Sequence, residues 1–172
     1  DRNLTRVTDG INSFVMTYNG DGNMETIMDS VGRVVTLSYD GDYLIAAENT
    51  DADSLRYTYT DDGYLETVEN FKGEIYVENT YDEIGRVTHQ YAANMGVFDY
   101  TYDDKNRVNT CTGTDDYLMV LRYDEQGFPI SVTTSEGTLS ITTNEHGQIT
   151  SETDREGNTT RYDHDAAGNI SN

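Results

Sequence analysis

Apolar and polar side chains alternate along most of this chain. Phe14 and Met16, Val35 and Leu37, Leu55 and Tyr57, Phe98 and Tyr100, Met119 and Leu121, and Leu139 and Ile141 each stand two residues apart. The polar residues Thr17, Ser38, Thr58, Thr101, Arg122 and Thr142 follow them on the opposite parity. A period of two predicts strands with one buried and one wet face. Two residues beyond each pair the pattern stops at a polar, glycine-bearing stretch: YNGDGNM from Tyr18, YDGDYL from Tyr39, YTDDGYL from Tyr59, YDEIGRV from Tyr81, YDDKNRV from Tyr102, YDEQGFP from Tyr123, TNEHGQI from Thr143 and HDAAGNI from His164. These starts are 20 to 22 residues apart. A period of that length makes each stretch part of a repeat rather than an isolated motif.

The repeat has a second half. After each turn a new strand opens on an apolar residue (Met24, Leu44, Leu65, Val87, Val108, Ile149, Ile170), and its next apolar residue comes three positions later (Ile27, Ala47, Val68, Cys111). That spacing breaks strict alternation and predicts a bulge. Midway between the Tyr-led turns lie further glycine turns at Gly10, Gly32, Gly73, Gly96, Gly137 and Gly157. Each unit of about 21 residues therefore reads as a β-hairpin plus a return turn. The predicted fold is all-β: tandem antiparallel hairpins forming a curved, spiralling sheet. A long sheet with one apolar face must curl to cover that face, here carrying Tyr, Phe, Leu and Met. The predicted organisation is one array over residues 1–172, about eight hairpin units, cut mid-repeat at both ends. Tyr43 stands where glycine is expected in a turn one residue short, Asn106 is expected to take the positive φ of a missing glycine, and the last two turns, which lack the leading Tyr, are expected to be irregular.

Charge narrows the partners. Eleven Lys and Arg against 32 Asp and Glu give a net charge of −21, a potential that repels phosphate backbones and argues against nucleic acid. No apolar run reaches the roughly 20 residues of a membrane span, so no membrane insertion is expected. Cys111 stands where other copies carry an aliphatic residue and reads as a small buried hydrophobe.

Candidate chemistry is weighed against this repetition. Asp82, Asp103, Asp124 and Asp165 could act as paired hydrolase carboxylates, yet they recur at a turn, where Asp and Asn side chains accept backbone N–H groups two residues on. The oxygen-rich loops at 19–23 and 49–54 lack the spacing of an EF-hand, and His89, His146 and His164 occupy three unrelated repeat positions. No catalytic residue, metal site or cofactor is predicted, and no enzyme activity is expected. The residues expected to matter are structural: Tyr18, Tyr39, Tyr59, Tyr81, Tyr102 and Tyr123 as anchors at strand ends, Asp82, Asp103, Asp124 and Asp165 as caps, Gly85 and Gly168 as turn formers, and Arg86 as a partner for nearby acids.

A tandem 21-residue unit with YDxxGR(L/V) at its turn resembles the Rhs or YD-repeat family, most closely in DREGNTTRYDHDAAGNI from Asp154 to Ile170. The resemblance implies a segment of a β-shell in a large secreted or cell-surface protein, bacterial by this likeness, whose shell encloses a C-terminal cargo or toxin or displays it. It implies the remainder of the parent chain as partner, with self-association through open strand edges as a second expectation. A different class of function is a carbohydrate or cell-wall binding module using rows of Tyr. The comparison there is the choline- or glucan-binding hairpin repeat, but those repeats use Trp and this chain has none.

Overall fold

The structure, a computed structural model, describes residues 3–171 and holds sixteen strands and no helix among them. Asp1, Arg2 and Asn172, part of the reading that the array is cut at its ends, lie outside the described residues. The strands are β1 (Arg6–Thr8), β2 (Ser13–Tyr18), β3 (Met24–Asp29), β4 (Val34–Asp40), β5 (Tyr43–Asn49), β6 (Ser54–Tyr59), β7 (Leu65–Asn70) and β8 (Ile75–Tyr81). They continue as β9 (Val87–Ala92), β10 (Gly96–Asp103), β11 (Val108–Gly113), β12 (Leu118–Tyr123), β13 (Pro129–Thr134), β14 (Gly137–Thr143), β15 (Ile149–Thr153) and β16 (Thr159–Arg161).

Two compact units divide the chain: one contains the residues up to Thr80 with Tyr91–Met95, the other Tyr81–Gln90 with the residues from Gly96 on. In the first, β1 to β8 pair antiparallel, each with its chain neighbour. In the second, β10 to β16 do the same. The all-β hairpin meander expected from the alternation is the fold observed.

Bulges fall on β3, β5 and β7 where the three-residue apolar step predicts them, and also where it does not, on β13 and β15 and between β7 and β8, where Val68 pairs with Val77 and Glu69 with Ile75. Thr17 pairs with Thr26 and Tyr18 with Met24, so Glu25 is the extra residue on β3. The same slip occurs between β4 and β5, β6 and β7, β12 and β13, and β14 and β15. The pair β10 and β11 departs from this: Tyr102 pairs with Asn109 and Asp103 with Val108, with no slip. Here the expectation about Asn106 is also corrected, because the positive φ belongs to Arg107 (56°). Without a glycine at 106 the loop closes over four residues, Asp104 to Arg107. The offset that other units place in the strand is absorbed in that longer loop.

The two faces differ as the alternation requires. On the wet face, hydroxyls pair across strands: Thr17 with Thr26 at 2.7 Å, Thr58 with Thr67 at 2.7 Å, Thr142 with Ser151 at 2.8 Å and Thr153 with Thr159 at 2.9 Å. Such cross-strand pairs hold register where no core is available to set it. Among the described residues the only buried hydrophobic side chains are Met16 and Cys111, at 8% and 4% exposure, while Phe14 remains 53% exposed. Cys111 is thus a small buried hydrophobe, and burial pushes its thiol pKa up.

A repeating turn as the candidate functional site

The feature this sequence repeats most faithfully is a loop of five residues. At Asp82 the loop is a three-residue connection, a type I turn followed by a left-handed residue. Gly85 N–H donates to the Asp82 carbonyl (3.0 Å), Asp82 N–H donates to the Arg86 carbonyl (2.9 Å), and Gly85 has φ 84°. The Asp82 side chain completes it: Oδ1 accepts from Ile84 N–H at 3.1 Å and Arg86 N–H at 2.9 Å. These N–H groups, Arg86's foremost, hold the Asp82 carboxyl below its ordinary pKa.

Asn19, Asp29, Asn49, Asn70, Asp124, Asn144, Asp154 and Asp165 close the same loop with the same pair of backbone donors. Two findings go against the sequence reading. The turns at Asn144 and Asp165, expected to be irregular without a leading Tyr, are regular, because the loop is closed by the Asx side chain and the glycine (Gly168, φ 87°) and not by the aromatic ring. The oxygen-rich stretch at 49–54 is another copy, with Ala52 in the glycine place at φ 63°. An ordinary acidic turn was expected there; that it is a copy of this loop was not legible, because the glycine is missing. Asp103 differs again: its Oδ1 accepts from Asn106 N–H, three residues on, at 3.0 Å.

The tyrosines at the strand ends do more than fill space. Tyr18 Oη donates to the Leu4 carbonyl (2.7 Å), Tyr59 Oη to the Leu44 carbonyl (2.9 Å) and Tyr102 Oη to the Val87 carbonyl (2.7 Å). Each acceptor lies on the preceding hairpin, so the phenol ties one unit to the next. Tyr123 varies the theme by accepting from Asn109 Nδ2 at 3.1 Å, and the Leu65 carbonyl is met by the buried Asn79 side chain at 3.1 Å. Tyr39 lies at the end of β4 paired with Leu44, and Tyr81 ends β8, half-buried.

The residue after the turn glycine leans on the following turn. Arg86 Nε donates to Asp82 Oδ2 (2.7 Å), Arg86 Nη1 to Asp104 Oδ1 (2.8 Å), and its guanidinium carbon is 4.3 Å from the Tyr102 ring centroid. Arg107 reaches Glu125 at 3.6 Å, Asn23 donates to the Gly41 carbonyl at 3.4 Å, and Gln148 donates to the Gly168 carbonyl at 3.2 Å. Aromatic residues serve where no polar group does: the rings of Tyr43 and Phe128 cover the space a Cβ would need at Gly63 and Gly147. Tyr43 is therefore misplaced in the sequence reading. Leu44 pairs with Tyr39 as Leu65 does with Tyr59, so Tyr43 takes the place of Arg86, and the shortened turn is the two-residue loop Gly41–Asp42 with Gly41 at φ 57°.

Among the described residues no group of three or more His, Cys, Asp or Glu is placed to hold a metal ion.

This architecture has relatives. The family model described as Teneurin YD-shell matches residues 3–142. The chain belongs to the Teneurin YD-shell family. A second model, RHS Repeat, matches residues 144–171, the stretch with the regular turns at Asn144, Asp154 and Asp165. No curated protein matches the chain. Among solved structures, a chain in the Photorhabdus luminescens Tc holotoxin pore, with a mutation in TccC3, superimposes with TM-score 0.65 at 14% identity over 97% of this chain and 11% of that one. A TcdB2–TccC3 crystal structure aligns over 95% of this chain and 9% of that one at 16% identity, with TM-score 0.47. The YD-shell segment here thus spans about a tenth of the length of the toxin chains it matches, and the holotoxin likeness shows the fold they share.

Proposed function

We propose that this chain is a non-catalytic wall segment of a larger secreted or cell-surface YD shell that encloses a C-terminal cargo or toxin, or displays it. The observation that carries the reading is the ladder of contacts that runs within each unit from Tyr-led turns to their neighbours. Tyr phenols reach back to the preceding hairpin, and the residue after the glycine reaches forward to the next turn. A wall needs every unit fixed to the unit before and after it, whereas a catalytic pair is needed once. In this reading the Tyr, Asp, Gly and Arg of YDEIGRV are structural residues, the residues form one continuous repeat array, and the main partner is the remainder of the parent chain.

Two measurements test it. In the intact parent protein, a protease added from outside should leave the cargo uncut while the shell is folded and cut it once the shell is opened by denaturant. Equal cleavage in both states would show that nothing is enclosed. In this segment, Tyr100→Ala removes a half-buried ring opposite buried Cys111 in register, for an expected loss of about 2 kcal/mol. A wall residue costs stability and moves no glycan signal; a glycan-binding signal abolished by the substitution at unchanged melting temperature would favour the carbohydrate module.

A further inference from the structure

One copy of the capped loop carries the parts of a covalent reaction. Of the loops whose Asx oxygen accepts two backbone N–H groups, only that at Asn19 has glycine directly after the cap, and Asn19–Gly20 is the chain's one Asn-Gly step. The other amide caps, Asn49, Asn70 and Asn144, are followed by Thr50, Phe71 and Glu145. Asn19 Oδ1 accepts from Asp21 N–H at 3.0 Å and from Asn23 N–H at 2.9 Å. Both donors stand where negative charge forms when a nucleophile attacks Cγ, the arrangement of an oxyanion hole. Among the described residues no acceptor meets the Gly20 N–H, and none meets Asn19 Nδ2. By contrast Asn70 Nδ2 is tied to Glu74 Oε2 at 2.6 Å and Asn144 Nδ2 to Gln148 Oε1 at 2.7 Å. The Asp-Gly steps are poorer candidates. A carboxylate is a weak electrophile, and the N–H groups of Gly10, Gly22 and Gly63 already donate, to Thr8 Oγ1 and to the carbonyls of Asn19 and Thr60.

We propose that Asn19 is a site of spontaneous deamidation in the folded chain. A base from solvent takes the Gly20 amide proton, and the nitrogen attacks Asn19 Cγ. The new N–Cγ bond closes a cyclic imide as Nδ2 leaves, with a proton from water, as ammonia. The attack is intramolecular, and a residue without a Cβ lets the two groups approach. Water then opens the imide at either carbonyl, at Cγ to give aspartate and at the backbone carbon to give isoaspartate; no oxidant or reductant takes part. Either product adds one negative charge to the turn. Aspartate keeps the loop, since Asp82, Asp124, Asp154 and Asp165 accept the same pair of N–H groups. Isoaspartate carries the backbone through Cβ and Cγ, which removes the side-chain cap.

Incubation of the full chain in mildly alkaline buffer tests this, followed by peptide mapping with mass spectrometry and by enzymatic methylation of isoaspartate. Conversion at Asn19 should outrun that at Asn49, Asn70 and Asn144 by about tenfold or more, and Gly20→Ala should slow it by a similar factor. The alanine should leave the melting temperature unchanged, because a Cβ at Gly20 meets nothing within 4 Å and the φ there is outside the left-handed range. A parallel incubation in urea separates the folded loop from the bare sequence: conversion in native buffer supports the site. Equal rates at the four amide caps, a rate that Gly20→Ala leaves unchanged, or conversion in urea with none in native buffer would overturn the proposal.

Discussion

A phenol where a phenyl would fit is the part of the repeat's Tyr that burial alone does not explain. Tyr102 is half-buried and could pack as Phe, yet its Oη meets the Val87 carbonyl at 2.7 Å, a group β9 leaves to the next hairpin. Tyr102→Phe should therefore cost about 1 kcal/mol, the net value of one hydrogen bond, measured by chemical denaturation; no loss would mean that water replaces the phenol without penalty. The caps make a second argument at this scale. Asp154 and Asp165 are held below the ordinary carboxylate pKa, the first mainly by the Asn158 side-chain amide, the second mainly by Asn169 N–H. With a lowered folded pKa, their stabilisation is complete above the ordinary value of about 4 and is lost as pH falls through the lower folded value. Asn fills the same place at Asn144, where Oδ1 accepts the same two N–H groups and Nδ2 donates to Gln148 Oε1 at 2.7 Å. Asp154→Asn with Asp165→Asn should keep both turns and flatten the acid limb of a melting-temperature profile. An unchanged acid limb would show that these caps do not drive acid unfolding.

The unit of construction is the loop, not the Tyr-led motif that advertises it. Its two signals, an Asx at the start and a left-handed residue three later, are separable. Where both were present, as at Asp82 and Gly85, sequence alone located the turn. Where one was missing it failed in a way the structure explains. Ala52 hid the kinship of the turn at Asn49 with the others because a left-handed alanine is uncommon, and Asn106 misled because the longer loop moves the positive φ to Arg107. Bulges on β3, β5 and β7 were legible because an extra residue shifts the apolar phase of the second strand. The leaning ladder was not, since its members (Asn23, Tyr43, Arg107, Phe128, Gln148) share a position and no chemistry. Ala52 also supplies a test that runs in the stabilising direction. A left-handed non-glycine residue costs roughly 1–2 kcal/mol, and glycine's extra freedom in the unfolded chain returns about 0.4–1 of that. Ala52→Gly should then stabilise the segment by about 0.5–1 kcal/mol, read as a shift of the denaturation midpoint at constant slope; destabilisation would mean that the loop at Asn49 does not adopt the shared geometry.

Charge and open edges act on the molecule as a whole, and in opposite directions. Among the described residues β1 is an end strand of one unit and β16 of the other, three residues each and exposed throughout. An unpaired strand edge is a template for another chain. Both edges are short and carry an arginine, Arg6 and Arg161, which weakens the template, and a net charge of −21 keeps copies apart. That repulsion reaches about 30 Å at 0.01 M ionic strength and about 3 Å at 1 M, while the backbone hydrogen bonds an edge offers depend little on salt. Association is therefore expected to need salt. In sedimentation velocity the weight-average coefficient should stay constant with protein concentration in dilute buffer and rise with it near 1 M sodium chloride. The same salt should raise the melting temperature, because 32 acids against eleven bases repel one another in the folded chain more than in the expanded one. A monomer at every salt and concentration would mean that the edges do not act as templates in this segment, and the parent chain would then owe its continuity to covalent connection and the turn ladder alone.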